Sequence, residues 1–430
     1  MKINFLLLRI TIFLLLLTSC SSSKQTLQYE GDPEMKATLK VMYPPGEESF
    51  MTDYGDLFKV KFPNIEIQVI GYWNTRYKEV MQEEKPDVIA LSIDEHTKFI
   101  EEDRLYDLNL LFLNDKFDLD GINPNILDYL RQLGGGKIYG LPPKFLNRAI
   151  YYNKDLFDKN NVPYPHDQMT WEEIIQLSKR FSSGDEISGL YMQSFATSVN
   201  EIATSRGLSF YNAKDKKITV NTESYKKVFE LILDAYNSKS IVLPGIDSLE
   251  VYDPFITGTS AMTMDYYYYI NNKINWAKEE QGTKFHLNWD LASAPVGDES
   301  RRGTTSYFYF ANIISVNSKS EQKQAAWELV KFVNGEELAK KNSRTPSFAA
   351  PTRTDYLYNP EGKRIEAFYN QRPEIKPVSA EFYSSLPNGF FTNMDGIINS
   401  ELKAVTVGVK TLDEAMASMQ ERGQRLLDEK

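Results

Sequence analysis

Hydrophobic and polar residues follow two different periods along the first third of the chain. Residues 38–42 and 65–70 alternate in the way typical of half-buried β-strands, and residues 88–91 form the short apolar run of a buried strand. Between the first two, the apolar residues from Phe50 to Phe62 fall at helical spacing, and Pro63 ends that helix. Because strands and helices alternate, the pattern predicts an α/β unit with a largely parallel sheet.

Three loops directly follow these predicted strands, at residues 44–49, 71–74 and 92–96. In open α/β sheets, ligands bind outside the carboxyl ends of the parallel strands. The residues of these loops are therefore candidates for a binding site.

Two later helices are predicted by their first turns. Thr170-Trp171-Glu172-Glu173 and Thr411-Leu412-Asp413-Glu414 both have the capping-box pattern, and apolar residues at helical spacing follow each. A third motif, Gly134-Gly135-Gly136-Lys137, predicts a turn. It is not a phosphate-binding loop, because no Ser or Thr follows the lysine and the glycine spacing is wrong.

The amino-terminal segment has the pattern of an export signal. Residues 10–17 are apolar apart from Thr11, and Lys2 and Arg9 precede them. A membrane-spanning helix needs about 20 apolar residues, so this run is too short to be one. The sequence predicts a secretory signal peptide over residues 1–19.

Cys20 follows the small residues Thr18 and Ser19, which resembles the signal of bacterial lipoproteins, whose cysteine is acylated and becomes the mature amino terminus. A chance cysteine beside a signal peptide is the alternative. Residues 20–35 are then expected to be a lipid-anchored flexible tether, which places the protein on the extracytoplasmic face of the bacterial cell membrane.

Composition excludes several classes of protein. The 430 residues are 42% hydrophobic and 25% charged, as in ordinary globular proteins, so neither a disordered chain nor one with many membrane spans is expected. The 59 acidic residues exceed the 49 basic ones, and the net charge of −10 would become −12 on loss of Lys2 and Arg9. With no Lys/Arg run, we expect no nucleic-acid partner.

Cysteine and histidine are too scarce for most metal or thiol chemistry. Cys20 is the only cysteine, so the exported chain would have no disulfide, and its stability must come from a large core. His96, His166 and His286 are far apart and have no metal-ligand spacing. The sequence therefore predicts neither a metal site nor a cofactor.

Several stretches resemble, in order, one family of binding proteins. Residues 258–262 match a Gly-x-x-Ala-Met signature, and residues 325–332 match a late-helix signature. The other matching stretches are residues 58–67, 86–88, 105–108, 137–142, 151–157 and 169–173. Together they resemble the bacterial extracellular solute-binding proteins of ABC importers, in the maltose-binding-protein-like group that takes up sugars.

The resemblance implies an α/β fold with two lobes, each a mainly parallel sheet flanked by helices, and a ligand cleft between them. Lobe 1 would contain residues 36–144 and 310–350, and lobe 2 would contain residues 145–309 and 351–430. The three crossovers between lobes would lie near residues 143–148, 307–311 and 347–352.

The chain departs from the family after the Ala-Met pair. Several family members have Gly and Trp there, whereas this chain has four consecutive tyrosines, Tyr266 to Tyr269. They cannot all face one side of a strand or helix. We expect one or two in the core and the others exposed or in the cleft. The ligands of family members are therefore not transferred to this chain.

A sugar-binding cleft should combine polar side chains for the hydroxyl groups with aromatic rings for the C–H faces. The candidate ligand-binding residues are Glu47, Trp73, Asp94, Glu95, Phe145, Asn147, Asp265, Tyr268, Tyr307 and Asp395. Most have a structural alternative: a solvated loop charge for Glu47, helix capping for Asp94 and Asp395, and packing of the lobes, hinge or sheet for the aromatic residues and Asn147. Trp171, Trp276 and Trp327 are assigned to packing.

The resemblance implies a monomeric, lipid-anchored binding protein that captures a carbohydrate, in particular an oligosaccharide, and delivers it to an ABC permease without breaking a bond. The same fold could instead bind a polyamine, a peptide or a metal chelate, or serve a membrane receptor as a sensor. A surface glycosidase is a further alternative, since acidic residues are plentiful.

Overall fold

The computed structural model describes residues 32–72, 77–181, 187–244, 252–344, 348–376 and 386–429. The predicted signal peptide, Cys20 and Trp73 lie outside the described residues. The strands are β1 (Ala37–Met42), β2 (Ile65–Ile70), β3 (Val88–Leu91), β4 (Gly140–Leu141), β5 (Lys144–Phe145), β6 (Arg148–Asn153), β7 (Ser188–Tyr191), β8 (Tyr211–Asn212), β9 (Lys217–Ile218), β10 (Ile241–Val242), β11 (Ser260–Tyr266), β12 (Trp289–Ser293), β13 (Thr304–Thr305), β14 (Ile313–Val316), β15 (Ala350–Pro351) and β16 (Arg372–Pro373).

Helices connect and cover these strands. They are α1 (Glu47–Phe50), α2 (Asp56–Lys61), α3 (Tyr77–Glu83), α4 (Ile93–Glu101), α5 (Asn109–Asn114), α6 (Pro124–Leu133), α7 (Lys154–Lys159), α8 (Trp171–Ser178), α9 (Phe195–Ser205), α10 (Glu223–Asn237), α11 (Trp276–Gln281), α12 (Lys323–Val333), α13 (Glu336–Asn342), α14 (Phe390–Thr406) and α15 (Leu412–Asp428). A π-helical turn, Met51–Gly55, joins α1 to α2, so the helix predicted from Phe50 runs without a break from Glu47 to Lys61.

The predicted local elements are confirmed. β1, β2 and β3 cover the three predicted strands within one residue. Thr170 caps α8 and Thr411 caps α15, and in each the side chain of the glutamate three residues later bonds back to the cap backbone. These signals lie within a few neighbouring residues, so no distant contact is needed to read them.

One five-stranded sheet has the order β2-β1-β3-β14-β4. β1 pairs in parallel with β2 and β3, whereas β14 is antiparallel to β3 and β4. The second sheet has the order β10-β7-β11-β6-β12, in which β6 is antiparallel to both β11 and β12. Both sheets are therefore mixed rather than mainly parallel.

The antiparallel strands have a common cause. β6 and β14 each begin directly after a predicted crossover, at Arg148 and Ile313. β1, β2 and β3 run toward the crossovers, so a strand that starts at the crossovers must run in the opposite direction. Alternation of strands and helices does not reveal this reversal.

The three predicted crossovers lie side by side. Phe145 pairs with Ala350 in the β5–β15 ladder, and Leu146 and Tyr309 exchange backbone hydrogen bonds of 2.9 Å in both directions. Thr352 N donates to the carbonyl of Pro143 at 3.1 Å. Residues 143–146, 309 and 350–352 thus form a three-stranded ribbon. The exact lobe boundaries remain a prediction.

The apolar core continues past this ribbon. One cluster of buried residues joins β1 and β3 to one face of the second sheet, where Tyr151, Trp289 and Leu291 lie. A second cluster fills the other face of the second sheet beneath α8, α9 and α10. The two sheets are therefore attached to each other through packed side chains as well as through the chain.

Candidate functional site

The candidate site lies where the ribbon of crossovers meets the ends of the two sheets. A groove of about 280 Å³ opens there. The polar and aromatic residues that line it include Tyr43, Asp53, Lys144, Tyr309, Asn312 and Phe348. Tyr43 directly follows β1, as expected for a ligand site at the carboxyl end of a parallel strand. We call this space the crossover groove.

Aromatic rings are exposed at the groove. Phe348 is 62% exposed and Tyr309 is 52% exposed, and both line the same groove. Exposed rings of this kind offer flat apolar faces to a ligand.

A stack of planar groups leads from the groove into the second sheet. The rings of Phe348 and Tyr268 are nearly parallel, with centroids 4.6 Å apart, and the rings of Tyr268 and Tyr266 stack at 5.4 Å. The guanidinium of Arg148 lies 4.2 Å from the Tyr266 ring centroid. We call Phe348, Tyr268, Tyr266 and Arg148 the aromatic ladder.

The four tyrosines divide as expected. Tyr266 and Tyr268 are partly exposed in the ladder, whereas Tyr267 and Tyr269 are buried. The hydroxyl of Tyr267 donates to the carbonyl of Tyr358 at 2.9 Å, and that of Tyr269 donates to Asp253 at 2.9 Å. Two tyrosines are therefore structural and two belong to the site.

Arg148 has two buried carboxylates in its surroundings. It pairs with Glu201 at 2.7 Å, and Asp265 lies on β11 beside it. Burial raises the pKa of Asp265 to about 6, although a hydrogen bond from the Tyr266 backbone and the charge of Arg148 oppose this. Burial also raises the pKa of Glu201, against the pull of Arg148. Both carboxyl groups are therefore costly to ionise in this position.

Asp94 and Glu95 lie at the start of α4, after β3. The pKa of Tyr309 is raised by partial burial and then by the charges of Asp94 and Glu95, so this helix start is within electrostatic range of the groove. The helix cap is Ser92 rather than Asp94, and Glu95 completes its capping box. Glu95 also accepts a hydrogen bond from the Tyr72 hydroxyl at 3.3 Å, so its carboxylate already stabilises the helix start.

Three of the predicted site residues are buried and make structural contacts, although Phe145 also lines the crossover groove. Phe145 is 1% exposed and packs on Phe308, with ring centroids 5.1 Å apart. The Asn147 amide donates to the carbonyl of Phe368 at 2.9 Å and accepts from the backbone of Arg148. Tyr307 accepts from the Trp171 indole and donates to the Glu201 carbonyl. These contacts agree with the structural alternatives, namely packing of the hinge for Phe145 and Asn147 and packing of the sheet for Tyr307.

The remaining predicted site residues are more peripheral. Glu47 is exposed and begins α1, rather than lying in a loop. Asp395 lies in the second turn of α14 and accepts a hydrogen bond from Asn200 at 3.0 Å, which makes it a neighbour of the helix that carries Glu201. The capping alternative for Asp395 is wrong, since the residue that precedes α14 is Gly389.

Of the tryptophans assigned to packing, Trp171 and Trp327 are buried, as predicted. Trp276 is 37% exposed and packs against Tyr252, with ring centroids 5.2 Å apart, so its packing contact lies at the surface rather than in the core. Its helix, α11, is at the surface, and a sequence pattern does not show how deeply a short helix is covered.

Sequence reasoning missed most residues of the site. The missed residues are Tyr43, Asp53, Lys144, Arg148, Glu201, Tyr266, Tyr309, Asn312 and Phe348. Tyr309 and Phe348 lie within the predicted crossovers, and Arg148 lies at the end of one, so a closer reading of those segments would have found them. Glu201 carries no such signal, because it reaches Arg148 only through the packing of α9 on the second sheet.

Within the described ranges, no group of His, Cys, Asp and Glu side chains could hold a metal ion. The described helices also include none that is long and apolar enough to span a bilayer.

Two α/β sheets joined by three adjacent crossovers, with an aromatic and polar groove at the junction, define the two-lobed class of solute-binding proteins. The comparison with known families agrees. The bacterial extracellular solute-binding protein family matches residues 43–340, and the chain belongs to that family.

Known relatives and structures are similar to this chain in fold. A binding protein from Brucella abortus is 27% identical over 269 residues, which are 58% of this chain and 59% of the length of that relative. A family 1 extracellular solute-binding protein from Alicyclobacillus acidocaldarius superposes with a TM-score of 0.65, at 19% identity over 93% of this chain and 100% of that one. A sugar transporter from Rhizobium etli, in an open conformation, superposes with a TM-score of 0.62. It is 20% identical, and the match covers 90% of this chain and 99% of that one.

Proposed function

We propose that this protein captures a carbohydrate, in particular an oligosaccharide, at the crossover groove and aromatic ladder. The two lobes close on the sugar because it makes more contacts with the closed state than with the open one. The protein then delivers the sugar unchanged to the permease of an ABC importer.

The observation that carries the proposal is the combination of exposed rings with carboxylates at one junction. Phe348 and Tyr309 offer apolar faces for the C–H surfaces of a sugar ring. Asp94, close to Tyr309, offers oxygens that accept hydrogen bonds from sugar hydroxyl groups. The similar protein from Rhizobium etli is a sugar transporter, which supports the same class of ligand.

The cellular arrangement is also a proposal. A monomer anchored through acylated Cys20 and the tether 20–35 would stay at the extracytoplasmic membrane surface, where the permease opens. Replacement of Cys20 by alanine should release the protein from the membrane fraction. Retention of the Cys20→Ala variant in that fraction would contradict the lipid anchor.

A thermal-unfolding screen tests the ligand class. The purified protein from Ser21 onward is heated with mono- and oligosaccharides, polyamines, peptides and metal chelates in turn. A ligand at about 100 times its Kd stabilises the folded state by about 2.7 kcal/mol, which raises the midpoint by a few degrees. We expect an oligosaccharide to give the largest rise and to be recovered intact.

Matched variants locate the bound sugar. Phe348→Ala and Tyr309→Ala should each weaken binding about tenfold, since an aromatic contact contributes about 1 kcal/mol beyond its buried area. Tyr236→Ala, which removes a 37% exposed ring on α10 outside the groove, should leave affinity unchanged. Stabilisation by polyamines, peptides or chelates alone would refute the carbohydrate proposal, and recovery of a hydrolysed sugar would indicate a glycosidase.

A further inference from the structure

Two basic side chains of the described residues border the candidate site. Lys144 lines the crossover groove, and Arg148 forms the inner end of the aromatic ladder. A sugar acid would need such cations, because carboxylates are recognised by lysine and by the arginine fork. Whether these two cations are already neutralised therefore decides which sugars the cleft favours.

Each of these cations has a carboxylate partner within the protein. Arg148, with a side chain 16% exposed, pairs with Glu201 at 2.7 Å, and Glu201 is 7% exposed. Lys144 lies 3.6 Å from Asp53, which also accepts a hydrogen bond from the Tyr43 hydroxyl at 3.2 Å. Each of the two cations thus already has a carboxylate partner before any ligand arrives.

Further carboxylates add negative charge to the same region. Asp265 acts on Arg148 from the neighbouring strand, and Asp94 and Glu95 act on Tyr309 at the groove. Among the described residues of the site, acidic groups therefore outnumber basic ones. An anionic ligand placed here would meet repulsion from these carboxylates, while the two cations that border the site are already paired.

We propose that Glu201 and Asp53 are specificity-determining residues, which make the cleft favour uncharged sugars over sugar acids by neutralising Arg148 and Lys144. The inference rests on the proposed function, since it concerns the sugar bound at that same site. It is a case of specificity set by repulsion of the wrong ligand as well as by attraction of the right one.

The test compares one sugar in two charge states. The oligosaccharides of the thermal screen are used as they are and after oxidation of their primary hydroxyl groups to carboxylates, and Kd is measured for both forms by calorimetry. The natural protein should bind the oxidised form at least about tenfold more weakly.

Three variants separate charge from structure. Asp53→Asn and Glu201→Gln keep the side-chain shape and free the cation, so each should narrow the preference for the neutral form or reverse it. If loss of the buried Glu201 charge prevents folding, the Asp53→Asn variant still provides the test, because the side chain of Asp53 is 39% exposed. Glu172→Gln removes a carboxylate paired with Arg206 at 2.5 Å outside the site, and should leave the preference unchanged.

Each outcome is decisive. Equal or tighter binding of the oxidised form, or a preference that neither Asp53→Asn nor Glu201→Gln alters, would overturn this inference and leave the proposed function standing. If no sugar binds in either form, the proposed function fails and the inference fails with it.

Discussion

Asp265 shows at the scale of one residue what a buried site carboxylate costs. Its pKa is raised by burial from an ordinary value near 3.8 to about 6, so the folded protein binds a proton more tightly than the unfolded chain does. The folded state therefore loses stability as the pH rises from about 4 to 6, and the full cost of about 2 to 3 kcal/mol is present above that range.

The Asp265→Asn variant removes this cost, since its amide oxygen still accepts the Tyr266 backbone hydrogen bond. We expect its unfolding midpoint to exceed that of the natural protein by several degrees at pH 7.5 and by about a third of that difference at pH 4.5. Thermal melts followed by circular dichroism measure both. As a control, Asp128→Asn changes an exposed residue and should show no such pH dependence. Equal shifts of the midpoint at the two pH values for Asp265→Asn would contradict the raised pKa of Asp265.

At the same scale, the sequence analysis predicted part of the site. Asp265 and Tyr268 were found because a family signature ends beside them. Glu201 and Phe348 act through partners 53 and 80 residues away along the chain, at Arg148 and Tyr268. No local pattern states such a pairing, so the contacts themselves became visible only in the folded protein.

At the scale of the element, the last helix depends on its cap. The Thr411 hydroxyl accepts the Glu414 backbone N–H at 3.3 Å, and the Glu414 carboxylate accepts the Thr411 backbone N–H at 2.8 Å. Thr411→Ala should lower the free energy of unfolding by about 1 kcal/mol, whereas Thr411→Ser, which keeps the hydroxyl, should be close to neutral. Urea denaturation measures the free energy of unfolding of both variants. An alanine variant as stable as the natural protein would show that the capping box does not contribute to stability.

The positions of strands and helices with local sequence signals were predicted well, whereas the parallel or antiparallel direction of the strands was predicted less well. The strands β1 to β3 and both capping boxes are confirmed because periodicity and first-turn chemistry reside in adjacent residues. The antiparallel placement of β6 and β14 was missed. It is a property of the return path between lobes, and hydrophobic alternation is the same in either direction.

At the scale of the whole molecule, the shared core makes the lobes interdependent. One cluster of buried residues includes Val41 and Val88 of the first sheet together with Tyr151 and Leu291 of the second. Loss of either sheet would expose apolar surface of the other. We therefore expect both to unfold in one cooperative step.

Hydrogen exchange read by mass spectrometry checks this expectation. In mild urea, peptides that contain β3 and peptides that contain β11 should pass to the exchanged form at the same rate. Two separate rates would show that the lobes open independently, in spite of the common cluster.

The position of β14 has a consequence for how the protein is made. This strand lies between β3 and β4, yet its residues are synthesised about 170 positions after Leu141. At 5 to 20 residues per second, the ribosome needs roughly 10 to 35 s to supply it. During that time the first sheet lacks an inner strand, so this sheet can be completed only after the chain has been made as far as Val316.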